Sequence, residues 1–157
     1  MSAESAKKKT VYIGSDHAGF DLKEILKAHL ASSGYDVSDM GCNSRESVDY
    51  PDVAREVCSE VSKNHGSFGI LICSTGTGMA IASNKKRGIR AAVCTHQLLA
   101  KMARLHNDAN VLCLGSWIVG AALAGDIADT FLKTEFEGEE RHKRRIGKMV
   151  IADADEC

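Results

Sequence analysis

Short apolar runs alternate with amphipathic stretches along almost the whole chain. Val11-Tyr12-Ile13-Gly14 reads as a strand and ends at the polar Ser15-Asp16-His17-Ala18-Gly19. Leu22, Ile25, Leu26, His29 and Leu30 then recur at helical spacing, and Gly34 stands where a helix stops. Tyr35 to Met40 alternates as a second strand, and Gly41 to Tyr50 is a polar loop. Pro51 fits a first helical position, with Val53, Val57, Cys58 and Val61 on one apolar face. Phe68 to Cys73 reads as a buried third strand, followed by a helix from about Met79. Ile89 to Cys94 is a fourth strand, Gln97 to Leu105 a fourth helix, and Asn110 to Gly115 a fifth strand. Ile118 to Leu132 is a long apolar helix, and Glu139 to Ile151 is helical, basic and only partly apolar.

Strands that alternate with helices predict an α/β fold, a parallel sheet of five strands with helices on both faces and a C-terminal helix. No repeat or linker divides the chain, so residues 10–157 are expected to form one domain after a tail, 1–9. Sites in such sheets lie beyond the carboxyl ends of the strands. Three polar clusters fall at such ends: Ser15-Asp16-His17, Cys73 to Gly78, and Thr95-His96.

Composition narrows the function. The chain is 44% hydrophobic and 26% charged, as expected for a globular protein in water. A net charge of −1 gives no reason to expect a nucleic-acid or acidic-membrane partner. No apolar run approaches the ~20 residues that span a bilayer. Met1 to Lys9 is polar, ends in three lysines and lacks the apolar stretch of a secretory signal. The six cysteines contain no C-x-x-C pair and no zinc-ligand spacing with histidine, so no metal is expected. Cys58, Cys94 and Cys113 fall inside apolar patterns, which fits a reducing, cytoplasmic setting better than a disulfide framework.

The segment Cys73-Ser74-Thr75-Gly76-Thr77-Gly78 carries the richest chemistry. Small residues between a strand and a helix let backbone N–H groups converge on an anion, and the field there favours a thiolate. The plain alternative is a glycine turn after a core cysteine. A phosphate loop ending in Gly-Lys-Ser/Thr is absent, Ile81 stands where a dinucleotide loop needs glycine, and Met79 where a cysteine phosphatase needs arginine. Asp16-His17 is either a proton-transfer or hydroxyl-binding pair or a helix cap. His106-Asn107-Asp108, taken alone, reads as a polar turn. Arg141 and Arg145 share one helix side, where two guanidinium groups suit a phosphate, although such runs are commonly solvated.

In register, these motifs resemble the ribose-5-phosphate isomerase B family, of the sugar-phosphate isomerase group that also holds the galactose-6-phosphate isomerase subunits. The shared pattern runs from Ser-Asp-His-Ala-Gly through Asp49-Tyr50-Pro51, Cys-x-Thr-Gly-x-Gly, Asn84-Lys85, Gly88-Ile89-Arg90-Ala91 and His106-Asn107-Asp108-Ala109-Asn110 to Gly-Glu-Glu-Arg-His-x-x-Arg. The resemblance covers about Val11 to Ile151. It implies a Rossmann-like three-layer fold, a cofactor-free aldose–ketose isomerase, and a homodimer or homotetramer with sites at the subunit interface. It implies Cys73 as the base that moves a proton between C1 and C2, with the backbone of Ser74, Gly76, Thr77 and Gly78 holding the enediolate oxygens. It implies His106, assisted by Asp16 and Thr75, as the ring-opening group, and Asn107 on a sugar oxygen. It implies His17, Arg141 and Arg145 on the phosphate, and His106 from the neighbouring subunit.

Two features depart from that pattern. Many members carry arginine at the place of Trp117, which opens a six-carbon substrate such as allose 6-phosphate as an alternative. One extra residue ahead of Arg141, relative to some members, brings Arg144 into consideration beside Arg145. A non-catalytic sugar-phosphate binder and a flavodoxin-like redox module are the other readings the chain leaves open.

Overall fold

The computed structural model describes residues 8–152. Most of the expected tail, Met1 to Lys7, lies outside the described residues, as does Cys157. The apolar runs form strands β1 (Thr10–Ser15), β2 (Asp36–Asp39), β3 (Phe68–Cys73), β4 (Ala91–Val93) and β5 (Val111–Gly115). Between and after them lie helices α1 (Phe20–Ser32), α2 (Tyr50–Lys63), α3 (Thr77–Ser83), α4 (Gln97–Asn107), α5 (Ala121–Lys133) and α6 (Glu140–Ala152). Lys9 already belongs to this fold. Its carbonyl accepts from Asp36 N at 3.1 Å, and its ammonium donates to the Leu132 carbonyl at 3.0 Å.

All pairings are parallel, in the order β2-β1-β3-β5-β4. The central strands are apolar on both faces because both are covered. Ile70, Ile72, Leu112 and Leu114 join the core made with α1, α4 and α5, while Leu71, Cys73, Val111 and Cys113 join the core made with α2 and α3. That period of two fixes the side on which the Cys73 thiol lies.

Helix α4 runs on to Asn107, so His106-Asn107 is helical and not a turn, and two larger boundary differences from the sequence pattern each have a local reason. The apolar run from Ile118 was expected to be helical throughout, but α5 begins only at Ala121. Ser116 N and Trp117 N donate to the carbonyls of Cys73 and Ser74, and Ile118 N and Val119 N turn back to Gly115 O, so a helix cannot start there. The strand expected from Ile89 to Cys94 is only Ala91–Val93. Ile89 N turns back to Lys86 O, and Arg90 N donates to the Asn110 side chain at 2.8 Å in place of a ladder bond.

A buried ion pair braces the loop after β2. Lys23 is fully buried on α1, and its ammonium lies 2.7 Å from both Asp39 carboxylate oxygens. Asp39 Oδ1 also accepts from Gly41 N at 2.9 Å. Gly41 O in turn accepts from Ser15 N at 2.7 Å, and Cys42 N donates to Ser15 O at 2.8 Å. The 41–49 loop is thereby drawn to the carboxyl end of β1.

Candidate active site

The order 2-1-3 places β2 and β3 on opposite sides of β1, so the sheet has a switch point between β1 and β3, and in parallel sheets ligands bind in the crevice beyond the carboxyl ends there. Ser15 pairs with Ile72 there, and Asp16 N donates to Ile72 O at 3.1 Å. Asp16 therefore lies beside Cys73, the last residue of β3. The Asp16 side chain is buried and its Oδ1 accepts from Gly19 N at 3.0 Å, so it caps its own loop just beyond the carboxyl end of β1. His17 is exposed, and its Nδ1 accepts from Val48 N at 3.3 Å.

Cys73 is only 4% exposed. Gly76 takes φ +81°, a left-handed conformation open to glycine, which turns its N–H back toward the strand. That N–H donates to Cys73 Sγ at 3.1 Å. Thr75 is exposed, and its Oγ1 accepts from Thr77 N at 3.3 Å. Neighbouring loops close around this turn. Trp117 N binds Ser74 O at 3.0 Å, and Ser116 Oγ binds Ala18 O at 2.8 Å. The Tyr50 ring leaves no room for a Cβ at Gly78, which would come within 2.8 Å of it. Trp117 itself is 77% exposed beside the turn.

Among the described residues, Cys73 is the cysteine whose sulfur accepts from a backbone N–H. Burial pushes Cys94 up to about 11, and burial also raises Cys58 and, further, Cys113. Those three are core residues without the character of a base.

The remaining candidates form a second group. His106 and Asn107 end α4, just before β5, whereas Cys73 pairs with Gly115 at the far end of β5. Five residues at ~3.3 Å each separate the two ends, so one chain does not bring His106 to Cys73. Asp108, at φ 45°, ties this corner down by accepting from Arg90 at 3.0 Å and Arg104 at 2.8 Å. Arg90 Nε also donates to the carbonyls of Asn107 and Asp108. Arg141, Arg144 and Arg145 are exposed on α6, and Arg141 Nε lies 2.7 Å from Glu139 Oε2. His106, Glu137 and His142 lie close enough together to be weighed as metal ligands. A cavity of about 390 Å³, lined by Ile89, Ala92, Ala103, Asn107, Ile146 and Met149 among others, opens on this side and touches none of the Cys73 turn.

A sequence profile for ribose/galactose isomerase matches residues 11–149. The chain belongs to the ribose/galactose isomerase family. It is 46% identical to ribose-5-phosphate isomerase B of Escherichia coli over 145 residues, which is 92% of this chain and 97% of that one. Among solved structures it matches ribose-5-phosphate isomerase B of Clostridium thermocellum with a TM-score of 0.91 and 48% identity, over 94% of this chain and 99% of that one. The Thermotoga maritima enzyme of the same name matches with a TM-score of 0.88 and 50% identity, over 91% of this chain and 98% of that one.

In this isomerase, sequence reasoning passed over Glu137 and read His142 only as part of a basic run. His142 did carry a signal. It stands four residues before Ile146 and seven before Met149, the spacing of one partly apolar helical face. Nothing in the sequence singled out Glu137, nor Gly115, whose bare Cα lies against the Thr75 backbone. Among the described residues, no helix is long and apolar enough to cross a membrane.

Proposed function

We propose that this isomerase interconverts ribose 5-phosphate and ribulose 5-phosphate through an enediolate, with Cys73 as the base. The observation that carries this reading is the Gly76 N–H aimed at Cys73 Sγ at 3.1 Å, beside Asp16 at the crevice end. The Cys73 thiolate removes the C2 proton from the open-chain aldose, and the electron pair moves through C1 to leave an enediolate. The Ser74 to Gly78 turn, with its backbone N–H groups, holds the developing negative oxygen, where loss of one such donor typically costs ~3–4 kcal/mol of barrier. The same sulfur returns its proton to C1, and a proton passes from O2 to O1, giving the ketose. His106, with Asp16 and Thr75, opens the furanose first, and Asn107 binds a sugar oxygen. His17, Arg141 and Arg145 take the phosphate, whose binding energy fixes the reacting carbons.

That His106 and Cys73 stand at opposite ends of β5 supports a working site built from two copies, with His106, Asn107 and the arginines of α6, which packs on α4, coming from the partner. A homodimer or homotetramer acting in the cytoplasm without a cofactor fits this reading. Purified protein is expected to interconvert the two pentose phosphates, and Cys73→Ala to bind ribose 5-phosphate without turnover. Binding by the wild type without turnover contradicts the proposal.

A second reading rests on Trp117. An exposed indole beside the Cys73 turn offers an apolar face in place of a charge. It favours a longer sugar, such as a six-carbon aldose 6-phosphate. A panel of five- and six-carbon aldose phosphates, run with wild type and Trp117→Arg, tests it. A preference unchanged by the substitution refutes it.

A further inference from the structure

His142 lies in the first turn of α6 and is 5% exposed. Its ring stacks on that of His106, with centroids 4.4 Å apart and planes 8° from parallel. Glu137 Oε1 is 2.7 Å from His142 Nε2 and 3.6 Å from His106 Nε2. Despite that short distance, His142 Nε2 has no aligned hydrogen-bond partner among the described residues, so the carboxylate sits off the line of the N–H bond. Glu137 is itself fastened to the helix that carries His106, because its backbone N–H donates to Leu105 O at 3.3 Å.

Imidazole lone pairs lie in the plane of the ring, and the two planes here are stacked and nearly parallel, so both rings cannot be aimed at one cation. The trio is therefore not arranged as a metal centre. It is arranged as a rest for one ring. His106 is 39% exposed at its side chain, and a surface imidazole otherwise spends its time among several rotamers. Here one face lies on a buried ring, and one nitrogen faces a carboxylate.

We propose that Glu137 and His142 are positioning residues that hold the His106 ring in the orientation needed to open a cyclic sugar phosphate. This rests on the reading of His106 as the ring-opening group. Ring opening moves a proton from the C1 hydroxyl to a base and delivers one to the ring oxygen, breaking the C1–O4 bond and forming the aldehyde. A misplaced imidazole slows that step and leaves the Cys73 proton transfer untouched. Ribulose 5-phosphate has its O5 blocked by phosphate and cannot form a five-membered ring, so it reaches Cys73 without any ring step.

The test compares two rates in wild type, Glu137→Gln and His142→Phe. One is conversion of ribose 5-phosphate, which needs ring opening. The other is uptake of solvent deuterium at C1 of ribulose 5-phosphate, followed by NMR, which needs the enediolate and exchange of the Cys73 proton with solvent but no ring step. Both variants are expected to lose about tenfold or more in the first rate, as general acid–base groups contribute 10²–10⁴-fold. The second rate is expected to stay within about twofold of wild type, since the interaction lost is confined to the ring step. A parallel fall in both rates, or no change in either, overturns the proposal. A wild type that shows neither rate contradicts the isomerase reading itself and leaves the variants without meaning.

Discussion

Substitution of Gly115 by alanine tests whether the Cys73 turn must be held to within an ångström. Gly115 ends β5 and pairs with Cys73, but it touches neither the sulfur nor Asp16 by any side chain. A Cβ there would stand 2.7 Å from the Thr75 Cα and carbonyl carbon and 2.8 Å from its carbonyl oxygen. Carbon atoms prefer ~3.5–4.0 Å, so the turn must retreat by roughly 1 Å. The atoms met are backbone, which no rotamer change can clear. Overpacking of this kind costs about 1–3 kcal/mol, or about 2–12 °C of melting temperature in a chain of this size. The kinetic effect is larger than the thermodynamic one, because a 1 Å displacement in a catalytic geometry costs about 10²-fold. The assay is kcat for ribose 5-phosphate conversion beside thermal unfolding. Gly120→Ser is the control, since a Cβ at Gly120 meets nothing within 4 Å and serine suits a helix N-cap. A folded Gly115→Ala protein with the kcat of wild type refutes the claim that this turn sets the rate.

Three further outcomes follow from the same geometry. Asp39→Asn leaves Lys23 buried without its counter-charge, and a loss of about 3 kcal/mol is expected in urea unfolding. Burial alone would raise the Asp39 carboxyl, but hydrogen bonds from Lys23, Lys27 and Gly41 N outweigh it and hold it below its ordinary value. The stability from this group is therefore full above the unfolded value of ~3.9 and lost as pH falls through the folded one, so wild type should lose stability below about pH 4 more steeply than Asp39→Asn. Cys94, raised to about 11, and the fully buried Cys113 should resist iodoacetamide at pH 8 in the folded protein and react only after unfolding, as read by peptide mass spectrometry.

The α/β architecture was legible because the strands carry continuous apolar runs while the helices carry 3.6-residue faces, and the two patterns rarely blur here. They blur at Ile118, where an apolar run continues through a turn whose N–H groups are taken by Cys73 and Ser74. No local pattern records a hydrogen bond to a carbonyl more than forty residues away. Cys73 and Asp16 were legible as candidates because one ends a strand and the other directly follows one, and neighbouring strand ends in a parallel sheet lie side by side. His106 read as a turn by its own letters and gained a role only from its setting. The structure adds that it lies at the other end of β5, a separation that spacing along the chain does not encode. Glu137 was silent because its partners, His106 and His142, lie on two different helices.

The central claim is that Cys73 of one copy works with His106 of another on one sugar phosphate. Cys73→Ala and His106→Asn variants, each purified and then mixed under conditions that exchange subunits, test it directly. Each variant alone is expected to lack ribose 5-phosphate conversion. In a two-fold mixed dimer one site regains both intact residues and the other loses both, so random exchange should restore about a quarter of wild-type activity. A mixture that exchanges subunits and stays as inactive as its parts would contradict the account.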